Sequence, residues 1–296
     1  MAGKDIYYVP HGSKWPLVGS LALFTTFIGG AMLLNDNPNA NYVLLIGAAA
    51  VVYMFAGWFA EVIQESIAGK YSKQVDTSFR MGMGWFIFSE VMFFAAFFGA
   101  LFYARMFSIP WLGGEGHGGH NGTHQFLWES FQASWPMSVM PDPSKFTQYK
   151  DVVPAWGVPA LNTAILLASG VTVTLAHWAL KAANRQKLAL WLFLTVALGF
   201  IFVYFQVEEY AHAMNDLDLT LNSGIYGSTF YMLTGFHGFH VTMGAVMLLI
   251  ILLRCLKGHF SKKDHFAFEA VAWYWHFVDV VWLFLFISVY WWGGRR

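Results

Sequence analysis

Residues Arg80–Arg105 read RMGMGWFIFSEVMFFAAFFGALFYAR, an apolar run bracketed by arginines with one carboxylate, Glu90, near its centre. About 20 apolar residues are enough to cross the hydrocarbon of a bilayer as a helix, so the run predicts a membrane span. A charge at that depth costs roughly 2.5–3.5 kcal/mol on insertion scales. Glu90 therefore needs pairing, protonation or a polar interior, and the rest of the chain must supply it.

The 296 residues are 57% hydrophobic, 19% aromatic and only 11% charged, with a mean hydropathy of +0.49. Soluble domains carry about 25% charged residues, so the chain reads as an integral membrane protein. Seven apolar spans are expected, at 15–34, 41–66, 80–107, 159–183, 189–212, 225–254 and 267–292. Each is long enough to cross as a helix. The alternation of a β-barrel is absent, and the fold class is all-α.

Seventeen basic residues balance seventeen acidic ones, and no nucleic-acid partner is expected. With the N-terminus inside, Lys4, Lys14, Lys70, Lys73, Arg80, Lys181, Arg185, Lys187, Arg254, Lys257, Lys262 and Lys263 share one side. Arg105, Lys145, Lys150, Arg295 and Arg296 lie on the other. Twelve against five places the N-terminus in the cytoplasm or its equivalent and the C-terminus outside. The polar, aromatic N-terminal segment has no cleavage signature and reads as retained.

A short turn, NDNPNAN, joins the first two spans, and the hydrophilic stretch Gln64–Thr77 separates them from the other five. The expectation is one membrane domain over 1–296. It comprises a two-helix unit (1–66) beside a five-helix unit (80–296), with a long external loop at 108–158. Gly82, Gly84, Gly99, Gly235, Gly238 and Gly244 are expected to let helices approach closely. All nine prolines are expected in loops or first helical turns, which argues against the broken mid-membrane helices of many carriers.

Several polar groups could carry chemistry. His237 and His240 in GFHGFH are three apart on one helix and could ligate a metal or bond to Glu90. His276 and Asp279 are also three apart, as an internal pair or a contact for a partner subunit. Glu208 and Glu209 read as a solvated interface at the outer end of the fifth span. The tract GEGHGGHNGTH gathers His117, His120 and His124, an adventitious metal binder at most. Arg254, Lys257 and His259 follow the sixth span and suit anionic lipid head groups. Cys255 is the single cysteine, which excludes an internal disulfide, an iron–sulfur cluster and a copper site built on two thiolates.

Two long segments carry a family resemblance: HFAFEAVAWYWHFVDVVWLFLFISVYWWG (265–293) and GIYGSTFYMLTGFHGFHV (224–241). With the RxGMxxFIxSExxFF pattern beginning at Arg80, and LNTAILLASGVTVTLAHWAL (161–180), they resemble subunit III of aa3-type cytochrome c oxidase across all seven spans. The resemblance implies an accessory subunit with no redox centre, cofactor or metal of its own. It would sit within a proton-pumping terminal oxidase that reduces oxygen to water with electrons from cytochrome c.

Haem a, haem a3, CuA and CuB are then expected in the partner subunits I and II. The implied role is to stabilise the catalytic subunit, support proton uptake and prevent inactivation during turnover. A V-shaped cleft between the two helical units would hold phospholipids. Glu90 matches the family's carbodiimide-reactive carboxyl, with His237 and His240 as candidate contacts and no catalytic residue in the chain. Arg254, Lys257 and His259 match lipid-phosphate positions. The implied location is a bacterial plasma membrane, or alternatively the mitochondrial inner membrane.

Three departures stand out. The family's Arg-Asp-Val-Ile-Arg-Glu reads Ala60-Glu61-Val62-Ile63-Gln64-Glu65, Gly99 replaces a bulky indole, and the segment 112–152 is longer than in mitochondrial relatives. A standalone proton-coupled carrier using Glu90 and the histidines, and a subunit binding its own haem, are the rival readings.

Overall fold

The computed structural model describes residues 7–9, 12–115, 124–126, 129, 131–137, 140 and 144–294. Among the described residues, seven helices are long and apolar enough to cross a membrane. They are α1 (Trp15–Leu34), α2 (Ala40–Ile67), α3 (Lys73–Leu112), α4 (Val158–Lys181), α5 (Arg185–Asn215), α6 (Gly224–Leu256) and α7 (Phe266–Trp291). Pro16 and Pro159 start α1 and α4, where a missing N–H leaves no ladder bond unmade. Asn184 caps α5 by accepting from the Lys187 N–H.

The third span departs most from expectation, starting at Lys73 and running through Leu112. Its first turns are polar yet helical: Ser72 Oγ accepts from the Val75 N–H, and Asp76 meets Arg80 at 2.8 Å across one turn. At the other end the helix widens to a π-helix over Ala104–Ser108 and resumes at Ile109–Leu112. Pro110 therefore lies inside a continuous helical run rather than in a loop. A proline ring collides with the carbonyl four residues back, here Met106, and the wider turn lies where that carbonyl must move aside.

The chain forms two compact units, Met1–Gly82 and Met83–Arg296. In the first, α1 and α2 pack through small residues. A Cβ on Gly29 would sit 2.6 Å from the Leu44 nitrogen, and one on Gly47 2.6 Å from the Thr26 nitrogen. Lipid tails are as apolar as leucine, so close backbone approach of this kind holds membrane helices together. The acids of the Ala60–Glu65 stretch meet aromatic donors. Trp15 Nε1 donates to Glu61, and the Tyr8 and Tyr71 hydroxyls donate to Glu65.

In the second unit α7 is the most buried span. Trp275 is fully buried between α5 and α6, 2.9 Å from where a Cβ would stand on Gly199 and 2.8 Å on Gly244. Its indole N–H donates to Ser169 Oγ on α4 at 2.9 Å, and two turns on Trp282 donates to Thr163 of α4, also at 2.9 Å. Of the glycines expected at close crossings, Gly244 fits that role, while Gly84 and Gly99 have nothing within 4 Å.

Arg105 lies over the Trp292 ring at 3.6 Å and donates to its carbonyl at 3.0 Å, holding the end of α3 to the end of α7. The described part of the external segment is tied to the α5–α6 turn by Thr147 N–H to Asn222 O and Lys150 N–H to Leu217 O.

Candidate functional site

Glu90 meets His240 in the second unit. Glu90 Oε2 on α3 and His240 Nε2 on α6 are 3.0 Å apart, with side chains 22% and 9% exposed. His240 Nδ1 faces the Phe236 carbonyl at 2.6 Å. A carbonyl only accepts, so Nδ1 carries hydrogen and donates. The Glu90–His240 bond is then made with the remaining proton on either atom, from carboxylic acid to imidazole or from imidazolium to carboxylate. Phe93, Phe94, Phe239, Tyr274 and Phe277 surround the imidazole. In so apolar a shell a separated charge would cost several kcal/mol or more, and the direct bond avoids it.

His237 does not join this pair. It is fully buried and its Nε2 faces the Val278 carbonyl of α7 at 3.2 Å. Its ring packs on Phe202 and Trp282 instead. Three residues turn a helix by about 300°, so the two histidines diverge by roughly 60°, enough to address different neighbours. His276 and Asp279 form a separate pair at 3.5 Å, with His276 Nε2 3.3 Å from Thr174 Oγ1 of α4. The Asp279 carboxylate occupies the space left by Gly170, which a Cβ would fill.

The basic group behind α6 is divided. Arg254 is 8% exposed and stacks on Phe260 at 4.4 Å, so it faces the protein rather than a head-group layer. Lys257 is exposed and His259 half-buried. Beside them a cavity of about 240 Å³ is lined by Arg185, Lys262, Asn184, Cys255 and Phe260, among others. Glu209 corrects the expectation of a solvated acidic pair. Glu208 is exposed, but Glu209 is 2% exposed and its Oε1 accepts from the Tyr290 hydroxyl at 2.6 Å. Adjacent helical residues point about 100° apart, so no composition signal separates them.

Long apolar helices, with polar side chains bonded to one another between them, define a multi-pass helical membrane protein. The family model for cytochrome c oxidase subunit III matches residues 5–117 and 126–294. Among curated proteins, the chain is 41% identical over 293 residues to cytochrome c oxidase subunit 3 of Marchantia polymorpha, covering 99% of this chain and 98% of that one. The Arabidopsis thaliana protein is 39% identical over 292 residues, with 98% of each covered. The Halichoerus grypus protein is 39% identical over 289, with 97% of each covered. The chain belongs to the cytochrome c oxidase subunit III family and is part of the cytochrome c oxidase complex.

Proposed function

We propose that the chain is the non-redox accessory subunit of the oxidase. It stabilises the catalytic subunit, supports proton uptake and prevents inactivation during turnover. The observation that carries the reading is the interhelical bonding of the two intramembrane histidines of α6. His240 Nε2 is committed to Glu90 and His237 Nε2 to the Val278 carbonyl, so both are used in holding helices together. Glu90 joins α3 to α6 through this bond, contributing to structure rather than passing protons itself.

Subunits I and II are the partners in this reading. They carry haem a, haem a3, CuA and CuB and receive electrons from cytochrome c. The N-terminus lies on the cytoplasmic side of a bacterial plasma membrane. Phospholipid head groups are held at the inner rim of the second unit, with Lys257, His259 and the Arg185–Lys262 cavity as the groups that face them and Arg254 as internal support. An absorption spectrum of the purified chain tests the non-redox assignment: no stoichiometric haem is expected, and one haem per chain contradicts it.

A further inference from the structure

Away from Glu90, a second buried carboxyl lies near the α5–α6 turn. Gln206 and Glu209 are three apart on α5, so one helix face carries both, and they are 4% and 2% exposed. Gln206 Nε2 donates to Glu209 Oε1, loosely at 3.4 Å, and the Tyr290 hydroxyl of α7 donates to the same oxygen at 2.6 Å. Tyr290 comes from Phe286–Trp291, where α7 widens to a π-helix. A Cβ on Gly238 of α6 would stand 3.9 Å from Gln206 Cγ, so α6 closes over the amide. The other two oxygens, Glu209 Oε2 and Gln206 Oε1, are buried and have no hydrogen-bond partner.

Counting protons decides what this group is. Both oxygens left over are acceptors, and the donors beside them already go to Oε1. An ionised Glu209 would leave two acceptors bare and bury a negative charge, and an unpaired buried charge is so costly that such groups are neutralised instead. Its surroundings offer no cation in compensation. The titratable groups that face it are Tyr290 of α7, Tyr226 and Tyr231 of α6, and Tyr210 and His212 of α5. His212 is exposed and meets Asp216 at 2.7 Å. Arg105 and Asp151, of opposite charge, lie beyond Tyr226. Among the described residues no lysine or arginine pairs with Glu209. A proton on Oε2 supplies the missing donor. Its O–H then donates to Gln206 Oε1 while the Gln206 N–H donates to Oε1, a carboxylic acid and a primary amide closed into a ring by two hydrogen bonds.

We propose that Glu209 binds a proton at neutral pH and forms this ring with Gln206, a proton-holding site that ties α5 to α7 through Tyr290. The site uses no metal and no redox chemistry, and it stands independently of the accessory role.

The test is infrared difference spectroscopy of the oxidase complex at neutral pH, parent against variants, with far-UV circular dichroism confirming that each variant stays folded. A carboxylic-acid C=O band is expected to vanish in Glu209→Gln, which keeps the ring as two amides, and to remain in Glu208→Gln. Gln206→Met removes both bonds of the ring and is expected to move the band to higher wavenumber. Loss of carboxylate bands alone in Glu209→Gln would mean an ionised group with water as the donor, and overturns the proposal. So does a band that stays unmoved in folded Gln206→Met.

Discussion

Glu90 and His240 stand 150 residues apart in the chain and 3.0 Å apart in the fold, each the answer to the other's cost in a membrane. Glutamine at position 90 keeps an N–H that can donate to His240 Nε2, whereas leucine leaves the imidazole facing nothing polar. Glu90→Gln is expected to assemble and to leave initial oxygen reduction largely intact. Glu90→Leu is expected to lower stability by about 1–3 kcal/mol, the usual cost of a buried polar group left unpaired. Thermal unfolding in detergent compares the two. An assembled, haem-replete Glu90→Gln complex without activity would refute this.

Gly244 and Gly84 should respond in opposite ways to alanine. The new methyl on α6 would press on the Trp275 ring, 2.8 Å away, and that ring is held on both sides and bonded to Ser169. Overpacking of this kind costs about 1–3 kcal/mol. At Gly84 the methyl has open space, and the gain in helix propensity is up to about 1 kcal/mol. Unfolding midpoints of Gly244→Ala and Gly84→Ala measure the contrast; equal shifts would argue against the packing described.

Two neighbouring glutamates offer a second contrast. Glu209→Ala removes the acceptor of the buried Tyr290 hydroxyl and of Gln206, at about 1–3 kcal/mol for each donor left unpaired. Glu208→Ala changes an exposed side chain and should stay within about 0.5 kcal/mol of the parent.

Lys150 supplies a pH dependence outside the membrane spans. Its ammonium lies 2.8 Å from Asp218 Oδ2, and that hydrogen bond raises its pKa above the ordinary value. The folded chain thus holds the proton more tightly than the unfolded one. The contribution is complete below the unfolded lysine value of about 10.4 and vanishes as pH rises through the higher folded value. Both side chains are largely exposed, so salt should weaken it further. Unfolding midpoints of the parent and Lys150→Met should converge at alkaline pH and at high salt.

How much of this was legible in the sequence varies with the physics. Length and apolarity alone specify a membrane helix, so all seven spans could be read. The start of α3 could not, because its first turns, held by Ser72 and the Asp76–Arg80 pair, are polar and carry no hydropathy signal. That Glu90 needs a partner followed from its depth. Which histidine supplies it depended on a rotation of about 60° between His237 and His240, set by how α6 packs. Arg254 reads as a head-group ligand by its place after α6, yet the Phe260 ring draws it inward.

The central claim is that this chain sustains the proton chemistry of its partner without moving electrons. The most direct measurement compares the oxidase complex with and without it, following proton uptake at alkaline pH and loss of activity during continuous turnover. Slower uptake and a shorter active lifetime in the depleted complex are the expected result. Equal uptake rates and equal inactivation kinetics would contradict it.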